Sequence, residues 1–287
     1  MKPTTETNYR DRIARVMNTI ADEPARTYRL DELAAVANLS RFHFHRVYRA
    51  MVGESVIETA QRARLARAAL RLAASDSEVT EIALDAGYES AQTFARAFRR
   101  ETGISPSDFR ARGLRFSDMV TGAATNRLQQ GESAMKTEIV ERAPVTAWAF
   151  RHSGPMREVG KTYARLWQWQ IANGIAGETK EAMGICYGDD ESADAMRYYA
   201  GILWDKPIPA PGDAERLEIA GGKYVCHRLI GSHDGIPGAF EKLYGEWFPG
   251  SGYVPDDRPS LEIYRNNPFD TPSNALITDI FIPLRRE

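Results

Sequence analysis

Cysteine is nearly missing from this chain, with only Cys186 and Cys226 in 287 residues. Two thiols exclude a disulfide framework, and no CxxC or Cys/His cluster offers a zinc site, so neither metal nor cofactor is expected. Long hydrophobic runs are absent as well. No stretch approaches the roughly 18 uninterrupted apolar residues of a membrane span, and the start, Met1-Lys2-Pro3-Thr4-Thr5-Glu6, carries no signal-peptide core. A cytoplasmic protein with no membrane partner is the expectation. Net charge is small too, 37 Lys and Arg against 39 Asp and Glu, or -2. Taken alone, that balance argues against a nucleic-acid partner. A hydrophobic fraction of 43% with 26% charged residues excludes wholesale disorder and collagen-like architecture, and the length suggests two domains.

The average charge hides a split. Residues 1–120 hold 19 Lys and Arg against 16 Asp and Glu, a balance of +3, and all but Lys2 of those cations are arginine. Residues 121–287 hold 18 against 23, a balance of -5, and all five tryptophans. Arginine suits forked contacts with phosphate and guanine edges. Residues 117–135 are rich in Gly, Ala, Thr, Ser, Asn and Gln and poor in large apolar side chains, which reads as a linker. The expected division is a domain at 8–114, a linker at 115–135 and a second domain at 136–287.

The first part repeats itself. Leu30, Leu33, Ala34 and Ala37 have helix spacing. Asn38 then tolerates the positive φ of a tight turn, Leu39 returns to the core, and Ser40 stands where a second helix, ending at Gly53, needs a cap. Val79, Ile82, Ala83 and Ala86 repeat the first helix, Gly87 repeats Asn38, Tyr88 repeats Leu39, and Ser90 caps a helix ending at Gly103. This is a duplicated helix-turn-helix. In the second helices, Phe44, Val47, Tyr48 and Met51 form one stripe, and Phe42, His45, Arg46 and Arg49 the opposite one. The equivalents are Phe94, Ala97, Phe98 and Glu101 inward, and Gln92, Ala95, Arg96 and Arg99 outward. An outward face of aromatic, His, Gln and Arg side chains suits base edges and phosphates. A single such helix is more simply a solvated charged face, but two copies with arginine pairs at equivalent places favour double-stranded DNA. Residues 55–74 lack Gly and Pro and read as one connecting helix of about 30 Å, enough to set two reading helices into adjacent major-groove segments about 34 Å apart. Its Arg62, Arg64, Arg67 and Arg71 either approach phosphates or form a solvated face.

Residues 10–112 resemble the DNA-binding domain of the AraC/XylS transcription regulators. The carrying residues are Ile82-Ala83-Leu84-Asp85-Ala86-Gly87-Tyr88-Glu89-Ser90, Phe94, Phe98-Arg99-Arg100, Gly103 and Ser105-Pro106-Ser107-Asp108-Phe109-Arg110. The resemblance implies an all-α domain whose two reading helices enter adjacent major grooves of promoter DNA, with RNA polymerase as a further partner. By position it implies contacts from Arg41, Phe42, His45, Arg46 and Arg49 in the first helix and Gln92, Ala95, Arg96 and Arg99 in the second. Ala95 stands where the family often has a polar or hydroxyl residue, so base reading by the second helix is expected to be weak.

From Lys136 the pattern changes to alternation and aromatic strands. Strands are expected at 145–152, 183–187, 197–204, 223–230, 260–264 and 276–283, with helices at 155–173 and 237–248. That is strand-helix-strand-strand, twice, an α+β domain with an antiparallel sheet and a pseudo-twofold groove. Glu262 shares one strand face with Tyr264, while Leu261 and Ile263 face the other way. A carboxylate among aromatic rings can hold a cation, although a strand Glu is more often simply exposed and aromatics are more often core.

Residues 136–287 resemble the GyrI-like effector-binding domain, also found in multidrug-responsive regulators, through Leu261-Glu262-Ile263-Tyr264, Asn267-Pro268 and Thr278-Asp279-Ile280-Phe281-Ile282-Pro283-Leu284. It implies a small organic ligand, cationic or aromatic, over Glu262, with Tyr187, Trp204, Tyr264 and Trp167 as the candidate aromatic walls. Some GyrI-like domains are similar to hydrolases, and Glu262 with Tyr264 could serve as base and acid. No nucleophile constellation accompanies them: Cys226 and His227 point to opposite faces of a strand, and His152 and His233 stand in loops without an evident partner. The expectation is a ligand-responsive transcription regulator and not an enzyme. The alternatives are a second domain that hydrolyses a small reactive molecule and one that only mediates assembly.

Overall fold

The computed structural model describes residues 5–114, 116, 135–178, 181–187, 197–208, 210–268 and 270–286. These fall into two units, one helical and one built on a sheet. The expected linker, 115–135, lies outside the described residues except at Phe116 and Met135.

The helical unit starts with α1 (Thr5–Asp22), an element the sequence reading did not single out. It buries Tyr9, Ile13, Val16 and Ile20, a helical stripe. The first helix-turn-helix is α2 (Leu30–Val36) and α3 (Arg41–Val52), α4 (Val56–Ala74) connects, and the second is α5 (Val79–Asp85) and α6 (Ala91–Thr102), closed by α7 (Pro106–Ala111). The turns are copies of one another. The Leu39 N–H donates to the Ala34 carbonyl at 3.0 Å with Asn38 at φ 52°; the Tyr88 N–H donates to the Ala83 carbonyl at 3.0 Å with Gly87 at φ 77°. Gly87 is held for a second reason, since a Cβ there would stand 2.5 Å from the Ala25 carbonyl oxygen. Capping is less symmetric. The Ser90 hydroxyl accepts from the Thr93 N–H at 3.2 Å, whereas Ser40 occupies the cap position of α3 without a side-chain capping bond. Ser55 and Glu58 form a reciprocal box at the start of α4.

The sheet unit runs β1 (Thr137–Arg142), β2 (Val145–Arg151), α8 (Val159–Ala172), β3 (Ala182–Tyr187), β4 (Arg197–Leu203), β5 (Glu215–Ile219), β6 (Gly222–Ile230), α9 (Ile236–Lys242), a π turn at Leu243–Trp247, α10 (Phe248–Ser251), β7 (Tyr253–Pro255), β8 (Ser260–Tyr264) and β9 (Ile277–Arg286). Strand order is β1-β6-β9-β8-β3-β4-β2-β5, with β7 on β9, and every pairing is antiparallel. The two strand-helix-strand-strand units are present as β2-α8-β3-β4 and β6-α9-β8-β9. β1, β5 and β7 were not foreseen. β1 and β5 are the ends of the strand order, and their charges (Glu138, Glu141 and Arg142; Glu215, Arg216 and Glu218) break a strict two-residue alternation, which weakens their apolar signal.

Those two edges share one register. Thr137 faces His227, Arg142 faces Gly222, Val145 faces Ile219 and Ala149 faces Glu215. A single antiparallel ladder therefore runs through β1-β2 and β5-β6, broken only at Ala143-Pro144 and Ala220-Gly221. It joins the two ends of the strand order, so the sheet curls. The enclosed face holds a core drawn from the middle and both ends of the sheet, including Ala147, Ile185, Ile219, Tyr224, Leu261 and Phe281. At the break the chains are in close contact: a Cβ on Gly221 would lie 2.6 Å from the Arg142 carbonyl oxygen and from the Pro144 nitrogen. Arg258 fastens the place, donating to the carbonyls of Gly221 (2.7 Å), Lys223 (3.1 Å) and Leu284 (3.1 Å). On the other face α8 packs on β2 and β4, and α9 on β6 and β9. β3 and β8 lie between them.

An ionic strap built on the buried carboxylate of Asp279 crosses β6 and β9 and reaches the end of β8. Asp279 receives both Arg228 (2.7 and 2.8 Å) and Arg265 (2.7 Å), and Arg265 also reaches Glu181 at 2.7 Å. Burial alone would raise the Asp279 pKa, but the two guanidiniums outweigh it and hold the carboxyl below its ordinary 3.8. A depressed folded pKa contributes stability that is present above about 3.8 and is lost as pH falls through the folded value. Asp279→Asn is therefore expected to cost about 2 kcal/mol at neutral pH, with the difference from wild type narrowing below pH 3.8 in denaturant titrations. Gly221→Ala is expected to lower stability by about 2–3 kcal/mol through overpacking against backbone. Gly238→Ala, in α9 with open space around it, is expected to be neutral or stabilising by up to about 1 kcal/mol, as thermal unfolding of the sheet unit would report.

Candidate functional site

In α3 the side chains of Phe44, Val47, Tyr48 and Met51 are buried, and in α6 those of Phe94, Ala97 and Phe98. The last inward place of α6 is taken by Thr102, whose hydroxyl donates to the Phe98 carbonyl at 2.8 Å, and Glu101 is half-buried. The opposite faces carry the candidate DNA contacts. Gln92, Arg96, Arg99 and Arg49 are exposed, and Arg41, Phe42, His45, Arg46 and Ala95 are partly exposed. The Arg46 guanidinium lies over the Phe42 ring at 4.5 Å, which orients it along the helix face. His43, between these positions, is a buried side chain, 2% exposed, that the stripe pattern did not mark.

The arginines of α4 mostly serve the fold. Arg62 is bonded to Glu54, and Arg71 to Asp85. Arg64 donates to the Pro24 and Arg26 carbonyls at 3.4 and 3.0 Å and lies 5.6 Å from the Tyr88 ring.

In the sheet unit, Glu262 is 6% exposed on β8. Its Oε2 accepts from the Tyr264 hydroxyl at 2.7 Å and from the Tyr198 hydroxyl at 2.9 Å. The Cys186 Sγ stands 3.8 Å from Oε1. Tyr163, on α8, joins the cluster with its hydroxyl 2.8 Å from that of Tyr198 and 3.3 Å from that of Tyr264. Directly across the β3–β8 ladder from Glu262 stands Gly184. A Cβ there would fall 2.1 Å from the Tyr198 hydroxyl and 2.7 Å from the Glu262 Oε2, so the glycine makes room for the cluster. Burial, reinforced by the Glu262 charge, pushes the Tyr163, Tyr198 and Tyr264 hydroxyls well above 10. They remain protonated donors at neutral pH.

Of the candidate walls, Tyr264 is in the cluster. Trp167 is 45% exposed on α8, one turn beyond Tyr163. Tyr187 and Trp204 are placed elsewhere. Alternation along β3 puts Gly184 and Cys186 on the Glu262 face and Tyr187 on the enclosed one, where it meets Tyr199 edge-on at 5.9 Å. Trp204 is buried with Phe150, Leu166 and Trp169 in the core beneath α8. Tyr163 and Tyr198 were missed; their signal is helix-and-strand alternation onto the Glu262 face, which needs the pairing register to be read. Among the described residues no group of three or more His, Cys, Asp and Glu is placed to hold a metal ion, and no helix is long and apolar enough to cross a membrane.

Residues 135–285 match the GyrI-like small molecule binding domain, and residues 33–112 match a helix-turn-helix domain. The right origin-binding protein of Escherichia coli K12 is 23% identical over 274 residues, which cover 90% of this chain and 92% of that protein. The transcriptional regulator MtrA of Neisseria gonorrhoeae is 31% identical over 102 residues, 36% of this chain and about a third (34%) of MtrA's length. The solved structure of SAV2435 bound to tetraphenylphosphonium aligns with 53% of this chain and 94% of that one, at 17% identity and a TM-score of 0.39. The chain belongs to the GyrI-like family and, with its N-terminal helix-turn-helix domain, is an AraC/XylS-type DNA-binding transcription regulator.

Proposed function

We propose that this regulator reads promoter DNA through the outward faces of α3 and α6, within a DNA-binding domain at 8–114, and senses an organic cation at Glu262, within an effector domain at 136–287. The observation that carries the ligand class is the burial of one carboxylate, on a strand between α8 and α9, among three phenol rings that come from α8, β4 and that same strand. A carboxylate removed from water attracts a positive charge far more strongly than an exposed one, and the ring faces add cation–π attraction. Trp167 extends the aromatic surface along α8. Arg46 and Arg96 supply guanine or phosphate contacts, Phe42, His45 and Gln92 base contacts, and Arg41, Arg49 and Arg99 phosphate contacts. Ligand binding then shifts promoter occupancy, or the recruitment of RNA polymerase, by its differential affinity for the states of the protein.

Hydrolysis at the same site is disfavoured by the phenols: a tyrosine held well above 10 is a poor proton donor at neutral pH. Turnover of a bound cation that disappears in Glu262→Gln would reverse this reading.

Arg46→Ala and Arg96→Ala are each expected to weaken binding to the target promoter by about 1–3 kcal/mol, read by fluorescence anisotropy at fixed salt. Unchanged affinity in both would remove these faces from the interface. By calorimetry with tetraphenylphosphonium, Glu262→Gln is expected to reduce affinity at least about tenfold, or 1.4 kcal/mol, while leaving promoter affinity without ligand unchanged. No binding by wild type to this or any other organic cation would leave the sheet unit with a role in assembly.

A further inference from the structure

We propose that His233 is a specificity-determining residue of the Glu262 site, admitting organic cations while its imidazole is neutral and rejecting them once it is protonated. The inference rests on the cation-binding reading above.

His233 opens the short turn His233–Gly235 that leads into α9. Its ring centroid lies 5.0 Å from that of Tyr264, and Tyr264 in turn donates to Glu262 and meets Tyr163 edge-on at 5.6 Å. The imidazole is thus one ring removed from the carboxylate, at the place where the β6–α9 turn meets β8. A second loop histidine shows the contrast. His152, which precedes α8, is fixed by a contact of its Nδ1 with the Thr162 hydroxyl at 2.8 Å and of its Nε2 with the Pro155 carbonyl at 3.2 Å. Among the described residues no such bond to a ring nitrogen of His233 is found, so no structural hydrogen bond dictates its protonation state.

Among the described residues, the groups that face it come from its own turn and from β8. Asp234 lies on its own turn, where it is engaged by Ser232. Tyr264 comes from β8, and behind it stand Tyr163 from α8 and Glu262. From β9, the residue opposite Tyr264 is the uncharged Thr278. Burial lowers the His233 pKa below 6.5, with Asp234 opposing, so the ring is neutral at pH 7 and offers an apolar, polarisable wall. Below that pKa it carries a positive charge close to the bound cation. Repulsion between two such charges at a partly buried site is expected to lower affinity about tenfold. By reciprocity, a bound cation must lower the His233 pKa by about one unit.

The test is calorimetric titration of the full chain with tetraphenylphosphonium, whose charge does not titrate, between pH 8 and pH 5. In wild type the dissociation constant is expected to rise about tenfold as His233 protonates, and His233→Gln is expected to abolish that rise. A flat wild-type profile overturns the proposal, and so does an equal rise in both proteins, which would assign the titration to another group such as Glu262. Failure of wild type to bind the cation even at pH 8 overturns the cation-site reading, and this inference with it. A second measurement needs no variant: the His233 ring pKa, followed by NMR in wild type, should fall by about one unit on saturation with the cation. An unchanged pKa sinks the idea whether or not His233→Gln folds.

Discussion

A carboxylate cannot be taken out of water without partners, and the centre of the sheet unit is arranged around that constraint. Glu262 lies on one of the two middle strands, and the β3–β8 register sets Gly184 directly opposite it. The missing side chain at Gly184 lets the Tyr198 hydroxyl reach the carboxylate from β4, while Tyr264 reaches it from the same strand. Tyr163 closes the cluster from α8. Each partner comes from a different element: Tyr264 from the same strand, Tyr198 through the registers of the β3–β8 and β3–β4 ladders, and Tyr163 through the placement of α8. A one-residue slip would turn Glu262 to the enclosed face and replace it with an isoleucine or a leucine.

The curl of the sheet is what keeps this site off the main apolar core. Because β1-β2 and β5-β6 form one interrupted ladder, the sheet's ends meet and its concave face fills with Ile, Leu, Tyr and Phe side chains. The helices are left on the other face, each over the outer strands of one repeat. The middle pair of strands is therefore the part of that face left between them. Duplication thus does more than double the structure: it creates a central strand pair flanked by a helix on either side, with the carboxylate on one of the two middle strands and aromatic rings reaching it from that strand, β4 and α8.

In the helical unit the governing fact is how the arginines divide. Arg12, Arg64 and Arg110 donate to backbone carbonyls that end helices or turns, and Arg62 and Arg71 are paired with acids. These hold short helices together where apolar area is limited. Arg49, Arg96 and Arg99 stay exposed on repeated faces. Composition alone counts both classes as basic residues, so the small net charge of the whole chain carried little information about a nucleic-acid partner.

The sequence by itself determined the duplicated helix-turn-helix, the two strand-helix-strand-strand units and the face that Glu262 occupies. These follow from local periodicity and turn chemistry: 3.6-residue and 2-residue repeats, a positive-φ residue at Asn38 and Gly87, and a cap at Ser90, whereas Ser40, expected to cap α3, makes no side-chain capping bond. Edge strands escaped it because adjacent, irregularly spaced charges such as Glu141-Arg142 and Glu215-Arg216 look like loop. The company Glu262 keeps was decided only by tertiary structure. Tyr187 is adjacent in sequence to a site residue, Cys186, yet points to the other face, and Trp204 fills a helix–sheet core. Tyr163 and Tyr198, far from Glu262 along the chain, supply the cluster instead. Which aromatic ring meets a carboxylate depends on strand register and helix placement, and these are set by long-range pairings that no local pattern encodes.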